Sequence, residues 1–246
     1  MLRALPRPIT ATPAADGQAW GTVRQALTLA AKDVRAELRS KDVLVSVVVF
    51  ALLVLVTFNF AMNLQQTGEE ASKQAAGALW VAIMLAAMLG FNHVFGREKE
   101  QETLDGLLLC PVDRGAIYLG KFLGALVFTA VMEAAILPIF AVFTNLPVLN
   151  PGMILAMVMG TVGFVAVGTL FAAVAMNTRM REVVLPILLL PVASPIVIAA
   201  TSATSAGLSG KPLGDVLSAL AVLAAFDAVY LTLCPLLFEY VAEEVG

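Results

Sequence analysis

Charged residues are scarce in this sequence: they make up 13% of its 246 positions, while hydrophobic residues make up 60%. Soluble domains have about 25% charged and about 45–50% apolar residues. This imbalance excludes an ordinary soluble domain and predicts an integral membrane protein. Positive charges occur only in small groups along the chain, which argues against a nucleic-acid partner.

The sequence also has few of the residues that build metal, haem and nucleotide sites. Its two cysteines, Cys110 and Cys234, form neither a CxxC pair nor a haem-attachment motif. The single imidazole, His93, is a candidate ligand for haem iron, although no tryptophan-rich motif accompanies it. No GxxxxGK[ST] phosphate loop occurs. We therefore expect no metal, no bound cofactor and no enzymatic activity in this chain.

Six long apolar segments each have the length that an α-helix needs to cross a bilayer, about 20 residues. Their continuous apolar character excludes a β-barrel, in which apolar and polar residues alternate. We therefore predict an all-α integral membrane protein with six transmembrane helices. The segments are residues 43–63, 75–96, 116–144, 152–176, 183–203 and 216–238.

The fifth apolar segment contains three prolines, Pro186, Pro191 and Pro195. Each proline removes a helical hydrogen bond and clashes with the preceding turn. Interrupted helices persist in membranes where protein or water supplies the missing partners. We therefore predict that the fifth transmembrane helix is broken or re-entrant, with residues 201–211 as its return on the outer side.

The distribution of positive charge predicts the orientation. Six spans place both termini on one side of the membrane. Of the 15 Lys and Arg residues, only Lys73 and Lys211 fall on the opposite side. Because cytoplasmic loops carry the excess of Lys and Arg, we expect both termini to be cytoplasmic.

The N-terminal region is expected to have two parts. Residues 1–21 are rich in Ala, Pro and Thr and are predicted to form a flexible tail, followed by a six-span domain over residues 22–246. Val23, Leu27, Ala30, Val34 and Leu38 recur at helical spacing, and the basic residues lie mostly off this stripe. The pattern predicts an amphipathic helix in the cytoplasmic interface of the membrane. A soluble cytoplasmic helix is the alternative.

The stretch REKEQETLDGLLLCPVDR, residues 97–114, places a cluster of charges between the second and third apolar segments. Leucines at i, i+3 and i+4 lie on one face and acidic residues on another, which predicts a short amphipathic helix that ends before the proline. Such a helix offers apolar side chains to a groove and carboxylates to a basic rim. An ordinary surface loop is the alternative. The candidate contact residues are Glu98, Glu100, Glu102, Thr103, Leu104, Asp105, Leu107, Leu108 and Pro111.

Two carboxylates, Glu133 and Asp227, lie near the middle of predicted spans. An ionised carboxylate there costs about 2.5–3.5 kcal/mol on insertion scales. We therefore expect each to face protein or water, with Thr129, Tyr230 or Thr232 as hydrogen-bond partners. Their role is either a conformational latch or polar patch on a translocation path, or a structural hydrogen bond between helices.

Several residues in and after the charged stretch resemble the signature of ABC-2-type permeases: Thr103, Leu104, Leu107, Leu108, Pro111, Gly120 and Lys121. Glu102 departs from the pattern, because the family usually has glycine there, so the local turn differs. With the segments AIYLGKFLGALVF and MEAAILPIFAVFTNLP, residues 22–239 resemble the CcmB branch, the haem-exporter B proteins of cytochrome c maturation.

The resemblance implies that the predicted amphipathic helix, residues 98–109, is a cytoplasmic coupling helix, which docks on a separate ABC ATPase and passes its motion to the spans. It implies a permease subunit in the prokaryotic inner membrane, working with haem-handling membrane subunits and with a second copy of itself or another membrane subunit. ATP is used by the partner, and haem is the transported or handled ligand. The movement serves either haem export or the release of a haem-loaded chaperone.

Two other functions fit the residues. One is an ABC-2 exporter of lipid, polysaccharide or drug, which the neighbouring genes would distinguish. The other is an ion-coupled carrier or a membrane scaffold, which would not co-purify with an ATPase.

Overall fold

The protein is α-helical in a computed structural model that describes residues 15–39, 41–62, 68–100, 114–176, 178 and 180–245. No β-strand occurs within these residues, and the all-α prediction is confirmed. The helices are α1 (Ala15–Arg39), α2 (Lys41–Met62), α3 (Glu69–Glu100), α4 (Arg114–Thr144), α5 (Pro151–Ala175), α6 (Arg181–Leu208) and α7 (Leu213–Val245).

Six of these helices, α2 to α7, are long and apolar enough to cross a membrane. Their candidate spans measure 21 to 31 residues, and an α-helix crosses the hydrocarbon core in about 20 residues. All six predicted spans are therefore found, and the protein is a multi-pass membrane protein.

Helix α5 lies at the centre of the bundle, where it contacts α3, α4, α6 and α7. The spans of α3 and α5 are mostly buried, whereas little of the α2 and α7 spans is buried. The exposed surface of the outer helices is apolar, as Val49, Leu53, Leu233 and Leu236 show. Lipid chains are as apolar as leucine, so this surface suits contact with the bilayer.

A glycine on α5 allows α3 and α6 to approach closely. A Cβ atom at Gly160 would lie 2.7 Å from Trp80 Cζ2 and 2.8 Å from Ala200 Cβ, too close for any side chain. The indole is held in place because Trp80 Nε1 donates a hydrogen bond to Thr204 Oγ1 over 2.9 Å. Helices α3, α5 and α6 therefore meet at one tightly packed point.

The break predicted for the fifth transmembrane helix is not found. Helix α6 is continuous from Arg181 to Leu208 and contains Pro186, Pro191 and Pro195. Residues 201–208, predicted as part of an outer return, belong to this helix, and the turn comes at Ser209 and Gly210.

Hydroxyl groups supply hydrogen bonds along the proline-containing part of α6. Pro195 cannot donate to the carbonyl of Pro191, its i−4 partner, and Ser194 Oγ donates to that carbonyl instead over 2.8 Å. Tyr230 on α7 donates to the carbonyl of Val192 over 3.1 Å. The carbonyl that Pro195 leaves without a backbone donor is therefore paired with a hydroxyl.

Helix α1 begins at Ala15, within the predicted tail, and residues 1–14 lie outside the described part of the chain. It packs mainly against α4. Of the predicted apolar stripe, Ala30 is buried, while Val23 and Leu27 are exposed. The buried face therefore differs from the predicted stripe, and part of that stripe remains free to contact lipid.

Candidate functional site

The predicted coupling residues lie largely outside the described residues. Helix α3 reaches Glu100, so the backbones of Glu98 and Glu100 are helical, but their side chains are not described. The stretch of residues 97–114 begins with the last four residues of α3 and ends at Arg114, the first residue of α4. Arg114 Nη1 is 3.5 Å from the carbonyl oxygen of Glu239, which places this end of α4 beside the end of α7. The residues outside the described part are Glu102, Thr103, Leu104, Asp105, Leu107, Leu108 and Pro111.

Glu133 joins two helices inside the bundle. The side chain projects from α4 and is 8% exposed. Thr161 Oγ1 on α5, itself 3% exposed, donates a hydrogen bond to Glu133 Oε1 over 2.6 Å. The arrangement is a hydrogen bond between helices, which was one of the two roles expected for this residue.

The partners expected for the buried carboxylates from sequence are not the partners found. Thr129 donates to the carbonyl of Ala125, and Thr232 donates to that of Ala228. Both are bonds within one helix, between residues four positions apart. The partner of Glu133 lies 28 positions away, where only the packing of α4 on α5 brings it into reach.

Asp227 on α7 is buried, and its Oδ1 has no hydrogen-bond partner in the described part of the chain. Gly163 provides the space for this carboxylate, because a Cβ atom at that position would overlap Asp227 Oδ1. Ile196 of α6 lies on the same side of Gly163. Asp227 therefore makes no structural bond between helices through Oδ1 among the described residues.

The candidate haem ligand and the cysteines do not form a site in the described residues. His93 lies in α3, but its side chain is not described, and neither is Cys110. Cys234 is a buried free thiol. Among the described residues, no group of three or more His, Cys, Asp or Glu side chains is placed to hold a metal ion.

Sequence reasoning missed a buried ion pair near the start of α4. Lys121 Nζ lies 2.8 Å from Asp33 Oδ2 of α1, and the lysine side chain is 2% exposed. From the sequence, Lys121 was matched to the permease signature and counted among the cytoplasmic charges, but no partner was predicted for it. The available signal was the sequence Gly-Lys-Phe-Leu-Gly, because glycines four positions apart permit close helix contact beside this lysine.

At the other end of the bundle, exposed charges connect α3 with the turn between α6 and α7. Lys211 Nζ is 3.0 Å from Glu69 Oε1, and Lys73 is 3.8 Å from the same carboxylate. The two lysines assigned to the outer side from sequence therefore lie close together at one end of the protein.

Known proteins of one family are similar to this chain over most of its length. The family model described as "CcmB protein" matches residues 24–242. The heme exporter protein B of Pseudomonas aeruginosa is 27% identical over 208 residues, which cover 84% of this chain and 91% of that protein. The heme exporter protein B of Paracoccus denitrificans is 30% identical over 170 residues, covering 68% and 76%. The chain therefore belongs to the CcmB protein family.

Proposed function

We propose that this chain is the permease subunit of an ABC transporter complex for cytochrome c maturation. The observation that carries the proposal is the match to the CcmB family over residues 24–242, with relatives that are named heme exporter protein B. The six-span bundle fits a transport role. The chain would support either haem export or the release of a haem-loaded chaperone, with haem as a substrate or handled ligand.

In this proposal a separate cytoplasmic ATPase supplies the energy. The chain's own sequence lacks a phosphate loop. The ATPase would bind to residues 98–111, the coupling stretch. Leu104, Leu107 and Leu108 would enter an apolar groove, and the surrounding carboxylates would meet its basic rim. Motion at this point would reach the bundle through α3 and α4, because the stretch connects them directly.

We place both termini and the coupling stretch on the cytoplasmic side of the inner membrane. The excess of Lys and Arg on that side supports this orientation. The proximity of Lys73 and Lys211, both within 4 Å of Glu69, supports their assignment to one opposite side. Haem-handling membrane subunits, and a second copy of this chain or another membrane subunit, would complete the complex within the bilayer.

The proposal is tested by purifying an affinity-tagged chain from membranes and identifying the proteins bound to it. We expect an ATPase with a phosphate loop and membrane proteins that handle haem. An untagged strain is the control for non-specific capture. Deletion of the gene should abolish mature c-type cytochromes, and the tagged chain should restore them. Capture without any ATPase, together with normal cytochromes in the deletion strain, would refute the proposal.

A further inference from the structure

The contact between α1 and α4 is unusually close. A Cβ atom at Gly120 would lie 2.7 Å from Leu29 Cβ and 3.1 Å from the carbonyl oxygen of Ala26. One at Gly124 would lie 3.3 Å from Asp33 Cβ. Because Gly120 and Gly124 are one helical turn apart, they open a continuous groove on α4 for the backbone of α1.

The Asp33–Lys121 ion pair lies beside this groove. The side chain of Lys121 is 2% exposed and that of Asp33 is 13% exposed. Lysine is almost never fully buried unless it is paired, and removing one member of a buried pair leaves an uncompensated charge. Separation of α1 from α4 would therefore take the Asp33 carboxylate away from a buried lysine. The groove and the charge pair both oppose such a separation.

The pair is also close to the point where motion would enter the bundle. Lys121 lies seven positions after Arg114, the start of α4, which corresponds to about 10 Å along the helix axis. Helix α4 directly follows the coupling stretch. The remaining faces of α1 suit a membrane boundary, since Leu27 is exposed on one side and the basic side chains of Lys32 and Arg35 are exposed on another.

We propose that α1 and α4 stay joined throughout the transport cycle, with the Asp33–Lys121 pair as the link, so that α1 moves with α4 as one body. This inference rests on the proposed function, because it needs a driven cycle. Asp33 and Lys121 are then positioning residues, and α1 spreads the motion of α4 along the membrane surface.

The first test removes charges around Asp33 one at a time and measures mature c-type cytochrome at equal amounts of the variant in the membrane. Lys121→Met should lower it at least about fivefold, because Asp33 loses its buried partner. The matched control is Lys32→Met. Lys32 is 3.3 Å from the same carboxylate but 53% exposed, so its loss should change the level less than about twofold. The exchange of charges, Asp33→Lys with Lys121→Asp, should restore most of the loss.

The second test replaces the ion pair by a covalent bond. Asp33→Cys with Gly124→Cys places two Cβ atoms 3.3 Å apart, a few tenths of an ångström closer than the roughly 3.5–4.5 Å of a disulfide, so a small shift lets the bond form. Lys121→Met removes the buried charge that Asp33 faced, and Cys110→Ser removes a native thiol. The purified complex, reconstituted with its ATPase, should hydrolyse ATP at about the unmodified rate when oxidised and at least about threefold more slowly when reduced.

Several results would overturn the inference. If the oxidised variant is inactive and the reduced one active, α1 must leave α4 during the cycle. If oxidised and reduced forms are alike, or if Lys121→Met and Lys32→Met are alike, the link does not matter for function. The unmodified complex is measured first. If the unmodified complex contains no ATPase, the proposed function itself is refuted. Losses of activity confined to the variants concern only the link between α1 and α4.

Discussion

Replacing Thr161 by valine should weaken the packing of α4 on α5 by a calculable amount. Thr161→Val keeps the shape of the side chain but removes the hydroxyl that donates to Glu133 over 2.6 Å. Hydrogen bonds between membrane helices contribute about 0.6 kcal/mol on average and at most about 1.7 kcal/mol. A buried acceptor left without a donor costs about 1–3 kcal/mol. We therefore expect a loss of about 1–2 kcal/mol in the free energy of unfolding, since both side chains are buried.

The loss is measured by unfolding the purified protein in mixed detergent micelles. Thr161→Ser keeps the hydroxyl and is the matched control, and Glu133→Gln keeps a carbonyl acceptor, so each should lose less than Thr161→Val. In the double variant Thr161→Val with Glu133→Leu, no polar atom is left unpaired, so part of the loss should be recovered. Together with the unmodified protein and the single variants Thr161→Val and Glu133→Leu, the double variant completes a cycle that isolates the interaction energy of the pair.

Two results would contradict the reasoning on this hydrogen bond. One is an equal free energy of unfolding for Thr161→Val and Thr161→Ser. The other is a coupling energy near zero in the double-mutant cycle. Either would mean that Glu133 is satisfied by something other than Thr161.

Three further predictions follow from the packing and the charges. Gly160→Ala should destabilise the protein by about 1–3 kcal/mol in the same unfolding assay, because the added methyl group overpacks the contact. The control Gly77→Ala should be neutral or stabilising, because a Cβ atom there meets nothing within 4 Å. Equal effects of the two substitutions would contradict the close packing of α3, α5 and α6. Asp227→Leu should leave the free energy of unfolding unchanged or raise it, since it removes a buried oxygen that has no partner in the described part of the chain. Both Asp227→Leu and Asp227→Asn should lower cytochrome maturation, and normal maturation in both would remove Asp227 from any translocation path. A cysteine introduced by Glu70→Cys, at an exposed position, should react with an impermeant thiol reagent in intact cells. Native Cys110 should react only after the membrane is opened. The reverse result would invert the proposed orientation.

The fold could be predicted from the sequence because the signal is local. Each span is a long apolar run, and a bilayer leaves the backbone few alternatives to a helix. The prediction was wrong for α6, where three prolines were expected to break the helix. The hydroxyls of Ser194 and Tyr230 donate to carbonyls in this region, and the bond from Tyr230 depends on the packing of α7 on α6.

The polar contacts were harder to predict because they depend on which helices become neighbours. Glu133 and Asp227 were identified as unusual from their depth alone, but the partner of Glu133 came from another helix. The pair of Asp33 and Lys121 spans 88 positions, and no local pattern connects the two residues. The coupling stretch stays a prediction from the residues and from the family resemblance.

Docking of an ATPase on residues 98–111 is tested by a double substitution on the apolar face of the predicted helix. Leu107→Asp with Leu108→Asp changes residues outside the predicted spans, so insertion should be normal. Two carboxylates without partners in an apolar groove should prevent docking, since each leucine anchor at an interface hot spot contributes about 2 kcal/mol. With Cys110→Ser as the control in the same stretch, the tagged double variant should lose its ATPase during purification and fail to support c-type cytochromes. A double variant that inserts normally, retains its ATPase and matures cytochromes would show that residues 98–111 do not dock the ATPase.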